Sequence, residues 1–340
     1  MFAQPFGRFF HLPRQLAERG HEVHLLLLGY RNEPGGYRQI GNLHLHAAPA
    51  LPWGPLPYVN KASALAQMLR PDWVIGFSDI WYGLLADRLA HRYATRFLVD
   101  AYDNYESYMP WAKPLHWLWR RAISRADLVT AAGPELADWM CRSSGRESVG
   151  LVPMAADPDF APRDKLACRR RIGLNETGPL VGYSGALYPN RGIEFLFDVY
   201  RRLRESRPDV GLVLSGRLAK GVELPEGVEW LGYRPPEDVP DIINSLDLMF
   251  VVNKPGSFGD YSYPVKLYEA MACNVPVVAA NVPGTAWVLR DHEELLAPPG
   301  DVEGFVMKAV RNIERGRINY LQQGGWENST ELLLNLLQGQ

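Results

Sequence analysis

The stretch Tyr263-Pro-Val-Lys-Leu-Tyr-Glu-Ala-Met-Ala-Cys-Asn-Val-Pro-Val-Val-Ala-Ala280 decides how the rest of the chain is read. It predicts a loop, a short helix and a buried strand in quick succession. Pro264 suits a first helical turn, where a missing N–H costs nothing. Val265, Leu267, Tyr268, Ala270, Met271 and Ala272 supply apolar surface for a helix packed inside a domain. Asn274 suits the left-handed residue that ends a helix, and Val275 to Ala280 reads as a short buried strand. Lys266 and Glu269 are three apart and share a face of that otherwise apolar helix. Two meanings stand open: a surface ion pair, or an anion-binding helix start with a carboxylate one turn in for sugar hydroxyls.

Outward from this stretch, strands alternate with helices in both directions. Downstream come a turn and helix over 284–289, a short strand near Leu295, a helix over 302–314 and a final helix over 326–337. Upstream, strands are expected over 248–252, 228–232, 210–215 and 180–184, with helices over 193–206 and 235–245 between them. Residues 157–164, rich in Pro and Asp, form the best domain boundary. Before it the alternation repeats, with helices over 9–19, 61–70, 82–93, 115–125 and 134–141. The matching strands are 22–28, 43–47, 73–77, 96–100, 127–131 and 149–154, and residues 31–41 read as a Gly/Pro/Asn-rich loop. Such alternation means parallel sheets. The helix, Gly-His, strand order at the start is the second half of a βαβ unit. Its first strand is not found in residues 1–7, which Pro5 and Gly7 break; a start shifted downstream is the expectation. The predicted fold is α/β, with two doubly wound Rossmann-like domains at 1–160 and 161–325. A helix over 326–340 packs back toward the first, and a ligand cleft lies between the carboxyl ends of the two sheets.

With 340 residues, 47% hydrophobic and 22% charged, the composition is that of a globular protein with room for two domains. A net charge of −2 offers no global attraction to nucleic acid. Cys141, Cys168 and Cys273 show neither metal spacing nor a disulfide framework. No apolar run reaches the roughly 18 residues of a spanning helix, and the first residues lack a leader pattern. A cytoplasmic protein is expected.

Several motifs together resemble retaining glycosyltransferases of family 4, which have the two-domain GT-B fold. They are Leu16-Ala-Glu-Arg-Gly-His-Glu-Val23, Ala126-Asp-Leu-Val129, Val152-Pro-Met154 with Asp157, Gly182 to Gly192, Leu231-Gly232, and above all Pro264 to Ala279. The resemblance implies a nucleotide-sugar donor (UDP- or GDP-linked) on the C-terminal domain and a glycan or lipid-linked glycan acceptor on the N-terminal one. It implies no cofactor and no metal in the chemical step.

Glu269 matches the second carboxylate of the family's paired-glutamate motif, which contacts the donor ribose. The first would fall at Tyr261, a departure; Ser262 to Leu267 is similar to a Ser-Pro-x-Lys-Leu variant. The resemblance then leaves the phosphates and sugar to the backbone around Tyr263, Pro264, Val265 and Leu267, with Lys266 adding charge. In the loop Gly182 to Gly192, Gly185 lets backbone approach a ligand. Arg191 takes the position of the family's lysine, and Ala186 stands where its arginine would be. Arg217 follows the next strand within reach of a nucleotide, and Tyr233 and Arg234 take the base-contacting position. On the N-terminal side, Gly7 matches the acceptor-side glycine loop and Arg8 adds charge beside it. Asp100 and Asp103 lie just past a strand end, with Asp103 expected on the donor sugar or acceptor hydroxyl; an Asx turn and helix cap is the competing reading.

Tyr108 to Arg125 combines Trp111, Trp117 and Trp119 with Lys113, Arg120, Arg121 and Arg125. This fits peripheral contact with an anionic membrane or a tryptophan core with a solvated basic face. His21, His24, His44 and His46 show no carboxylate or cysteine spacing for a metal site. The function expected is transfer of a hexose to a glycan or glycolipid hydroxyl. The alternatives are a nucleotide-sugar epimerase of the same fold and a degenerate paralogue that binds without turnover.

Overall fold

The computed structural model of the protein describes residues 6–30, 35–320 and 324–339. The readings of residues 1–5 and of the start of the 31–41 loop lie outside the described residues. The chain divides into two units, one running up to Ala155 and resuming at Gly324, the other spanning Ala156–Gln323.

In the first unit the elements follow as α1 (Arg8–Glu18), β1 (Val23–Gly29), β2 (Gly36–Ile40), β3 (Leu43–Pro49), α2 (Leu56–Leu69), β4 (Trp73–Phe77) and α3 (Ile80–Tyr93). They continue with β5 (Arg96–Ala101), α4 (Lys113–Arg125), β6 (Leu128–Ala131), α5 (Pro134–Ser144) and β7 (Gly150–Leu151). The strands make two sheets, β1-β3-β2 and β4-β5-β6-β7. All pairings are parallel except β2 with β3. β2 lies inside the segment expected to be a loop. Its alternating Tyr37-Arg38-Gln39 is polar because the strand is an exposed edge. Phe97, Leu98 and Val99 of β5 are fully buried, as a strand covered on both faces requires.

Among the described residues β1 pairs only with β3 and β4 only with β5, so each has a free edge. A cavity of about 760 Å³ lies against both, lined by Leu25, Leu27, Val74, Ile75 and Phe77.

The second unit runs α6 (Lys165–Ile172), β8 (Leu180–Ser184), α7 (Ile193–Ser206), β9 (Gly211–Ser215), β10 (Val228–Trp230), α8 (Val239–Asn244) and β11 (Leu248–Val251). It ends with α9 (Val265–Ala272), β12 (Val277–Ala280), α10 (Pro283–Val288), β13 (Leu296–Ala297) and α11 (Val302–Arg315). α6 was not expected, although Asp164 caps it on the Ala167 amide at 2.7 Å and Gly173 ends it with φ 84°. Its surface is too basic to show an apolar stripe, with Arg169, Arg170 and Arg171 in the last turn. The six strands form one parallel sheet in the order β10-β9-β8-β11-β12-β13. Phe197, Leu212, Leu214, Phe250, Val278 and Phe305 fill one core against it. Asn274 has φ 57°, so the helix ends on the left-handed residue expected, and the Val275 amide closes back on the Ala270 carbonyl at 2.9 Å. The last helix, α12 (Trp326–Gln338), belongs to the first unit, where Trp326 stacks on His11 of α1.

Candidate functional site

The strand order of the second unit reverses between β8 and β11, because the chain builds outward first through β9 and β10 and then through β12 and β13. Loops leaving the carboxyl ends at such a reversal diverge and open a crevice. The loops after β8, β9 and β10 are tied backbone to backbone. Gly185 N–H donates to the Ser215 carbonyl at 2.8 Å, Leu187 N–H to that of Arg217 at 2.9 Å, and Gly216 N–H to that of Gly232 at 2.8 Å. The approach is so close that a Cβ on Gly216 would stand 1.8 Å from the Gly185 oxygen. Gly185 itself has φ 141°, and a Cβ there would stand 2.8 Å from Lys266 Nζ. A bare backbone at 185 is therefore what lets the α9 lysine reach the β8 loop.

Three cations gather on this edge, each laid on an aromatic ring. Lys266 Nζ is 4.0 Å from the Tyr183 ring centre, the Arg191 guanidinium 4.4 Å from Phe258, and that of Arg217 5.0 Å from Tyr233. Among the described residues none of the three has a carboxylate at ion-pair distance. α9 begins at Val265 with no side-chain cap on its first-turn amides.

Glu269 stands one turn on. It forms no ion pair with Lys266, which excludes the surface-pair reading. Its side chain is half-buried among protein atoms, and desolvation there pushes its pKa up to about 7. The positive charge of Lys266 pulls the other way, and Asp157 adds to the rise. A carboxyl held in such surroundings without donors is suited to receive them from a ligand.

Other expected donor residues divide. Val265 is exposed and Pro264 half-buried, whereas Leu267 is in the core. The Tyr263 side chain is 3% exposed and packs edge-on to Trp287, which leaves its backbone as the part expected to serve the donor. Ala186 keeps its carbonyl toward Tyr183 Oη at 3.4 Å. Tyr233 is exposed and carries Arg217 on its face. Arg234 turns its guanidinium to the Ile172 carbonyl at 3.4 Å and to Asp238 at 3.9 Å. Tyr183 and Phe258, which seat Lys266 and Arg191, went unrecognised in the sequence; each reads as an ordinary core aromatic until the cation is placed on it.

In the first unit the carboxyl edge is differently made. Arg8 and Asp100, both expected on the acceptor side, are buried and satisfy each other. Arg8 Nε and Nη2 donate to the two Asp100 oxygens at 2.7 and 2.6 Å, and Nη1 donates to the Val152 and Pro153 carbonyls at 2.7 and 3.0 Å. Thr130 Oγ1 adds a bond to Asp100 Oδ1 at 2.6 Å. This bidentate pair fastens the first turn of α1 to the ends of three strands, so neither residue is presented to a ligand. Gly7 is the cap of α1 at φ 73°, with open space where a Cβ would be, so its backbone conformation and not crowding calls for glycine. Asp103 is half-buried and accepts from Tyr108 Oη at 2.6 Å. Beside it, Ser78 takes φ 83°, a strained value for a serine, at the end of β4, and its hydroxyl lies 3.5 Å from Tyr102 Oη. The strain at Ser78 is invisible in sequence.

The Tyr108–Arg125 segment separates by face. Trp119 is 1% exposed, while Trp111 and Trp117 are 78% and 59% exposed, with Arg121 over Trp117 at 5.4 Å. Arg120 is held by Glu106 and Arg125 by Asp87. The expectation that the histidines lack a carboxylate is also corrected: Glu22 Oε1 lies 3.0 Å from His24 Nε2. No helix among the described residues is long and apolar enough to cross a membrane.

Two Rossmann-like units, the second with its unpaired cations at the sheet's reversal point, define the GT-B class of fold. A family model described as glycosyl transferases group 1 matches residues 164–320, and one described as a glycosyl transferase 4-like domain matches residues 8–155. The chain belongs to glycosyltransferase family 4. Among curated proteins it is 26% identical, over 217 residues, to D-inositol 3-phosphate glycosyltransferase of Stackebrandtia nassauensis, covering 55% of this chain and 48% of that one. The chain thus spans about half the length of the curated relatives it matches. Among solved structures, sucrose-phosphate synthase of Thermosynechococcus elongatus superposes with a TM-score of 0.76 at 17% identity, covering 96% and 91% of the two chains. Anabaena HepE in complex with UDP superposes with a TM-score of 0.68 at 17% identity, covering 93% and 99%.

Proposed function

We propose that the protein transfers a hexose from a UDP- or GDP-sugar to a hydroxyl of a glycan or glycolipid, with retention at the anomeric carbon. The observation that carries this reading is the presence, on one short helix, of an uncompensated Lys266 and the half-buried, desolvated carboxyl of Glu269, set against the glycine loop of β8. Glu269 accepts bonds from the ribose hydroxyls. Lys266, Arg191 and the first-turn amides of α9 meet the diphosphate and stabilise its charge as the glycosidic bond breaks. The solved UDP complex of a protein with this fold favours a uridine donor. Asp103, partly exposed past the end of β5, contacts the sugar or the acceptor hydroxyl. Exposed Trp111 and Trp117 beside Arg121 suit an acceptor carried in an anionic membrane.

The test is a thermal-shift and calorimetric panel of UDP- and GDP-sugars, followed by product analysis with glycan and glycolipid acceptors. Saturable binding of one donor, lost in Glu269→Ala, and an acceptor product of unchanged anomeric configuration are expected. An epimerised donor formed without acceptor, or an inverted product, would overturn the reading.

A further inference from the structure

The outer face of the β1-β3-β2 sheet carries a cluster that the transfer reaction does not use. β1 and β3 run parallel with His24 opposite His44, and Tyr37 of β2 lies opposite His46. The two-residue repeat of a strand puts Glu22 on the face of His24 and His46 on the face of His44. The His24 and His44 rings lie parallel, 4.4 Å apart and 4° from coplanar orientation. One ligand atom from each of Glu22, His24 and His44 lies within 4.8 Å of the others.

The hydrogen bonds around these rings fix which nitrogens carry lone pairs. Gln39 Nε2 donates to the Gly41 carbonyl at 2.9 Å, which turns Gln39 Oε1 toward Tyr37. Tyr37 gives its only hydroxyl proton to that oxygen at 3.1 Å. The Tyr37 oxygen therefore accepts from His44 Nδ1–H at 2.8 Å, and Nε2 of His44 is left with its lone pair. On His24, Nε2–H donates to Glu22 Oε1 at 3.0 Å, because a carboxylate can only accept, and Nδ1 accepts from His46 Nε2–H at 3.1 Å. His44 thus offers Nε2 to an ion directly. On His24 an ion takes the place of the Nε2 proton held by Glu22, with the His24–His46 pair shifting tautomer so that Nδ1–H donates to His46 Nε2. Outer partners orient metal-binding histidines in this way.

We propose that Glu22, His24 and His44 form a binding site for a divalent cation of the zinc class, with His46 and Tyr37 as its orienting partners. Two imidazoles and a carboxylate suit zinc, copper or nickel and not magnesium. With bonds of about 2.0–2.1 Å, ligands on a tetrahedral ion lie roughly 3.3 Å apart, and the three ligand atoms, within 4.8 Å of one another, need to adjust only modestly to reach that spacing. Glu22, with 69% of its side chain exposed, has the freedom to swing in, and water fills the fourth position. Occupation would tie β1 to β3 on the sheet whose β1 edge is otherwise free.

Calorimetric titration of the metal-free full chain with Zn²⁺, in a Cys141→Ser background, tests this. One saturable equivalent is expected, with a rise in thermal midpoint and no response to Mg²⁺. His24→Ala and His44→Ala should each weaken binding at least tenfold. Tyr37→Phe, which removes the outer partner, should weaken it about tenfold. Glu22→Gln lies on an exposed position where folding is not at stake and should also weaken it, while His21→Ala should leave it unchanged. Absence of saturable uptake, or a His24→Ala/His44→Ala double variant that binds like the parent, would overturn the proposal.

Discussion

The carboxyl edges of the two units hold similar residues in opposite states. On the first, Arg8 is locked in a fork with Asp100 and Arg120 in another with Glu106, each guanidinium answered by a carboxylate. On the second, Lys266, Arg191 and Arg217 lie on aromatic rings and Glu269 sits half-buried, with no cation in contact among the described residues. A ring seats a cation without neutralising it, so its charge remains available to a phosphate. Paired charge builds scaffold, and unpaired charge marks where a ligand supplies the missing partner.

Breaking the scaffold pair should have the largest effect. Arg8→Ala leaves Asp100 buried and unanswered and should cost about 3–5 kcal/mol of stability in chemical denaturation. Arg8→Lys should not restore it, because an ammonium cannot form the two-pronged contact.

The unpaired carboxyl should show the opposite sign. Glu269 has its folded pKa raised to about 7 from an ordinary 4.5, so below pH 4.5 it is protonated in both states and costs nothing. As pH rises through 7 the folded state must hold the charge, and stability falls by up to about 3 kcal/mol. Glu269→Gln should flatten that decline in thermal scans from pH 4.5 to 8; an unchanged slope would assign it elsewhere. In donor binding, Glu269→Ala should lose about 1.5–3 kcal/mol, the value of hydrogen bonds to a charged group, read by calorimetry with the preferred nucleotide-sugar. Arg191→Ala should weaken the same binding about tenfold, nearer the lower end of that range. Arg234→Ala, whose guanidinium is turned away, should change donor affinity by less than about twofold, as surface pairs do.

Much of the architecture was legible because periodicity and helix stops are local properties. The alternation of strands and helices, the boundary near residue 160 and the left-handed end at Asn274 all follow from neighbours in the chain. What was missed lacked a local mark: β2 is a polar edge strand, and α6 is a basic helix whose burial comes from carboxylates far along the chain, Asp241 and Asp247.

The same division holds for function. The sequence from Tyr263 to Ala280 by itself determined a helix start bearing Lys266 and Glu269 on one face, since three-residue spacing on a helix is enough. Only the tertiary structure decided that the two do not pair, because that depends on Tyr183 and Gly185 drawing Lys266 to another strand's loop and on burial withholding donors from Glu269. Likewise Arg8 and Asp100 read as exposed loop charges until the fold brought them together across 92 residues and made them scaffold. Whether a charge binds a ligand or holds a fold is set by what else is within a few ångströms, and that is a property of the packed chain.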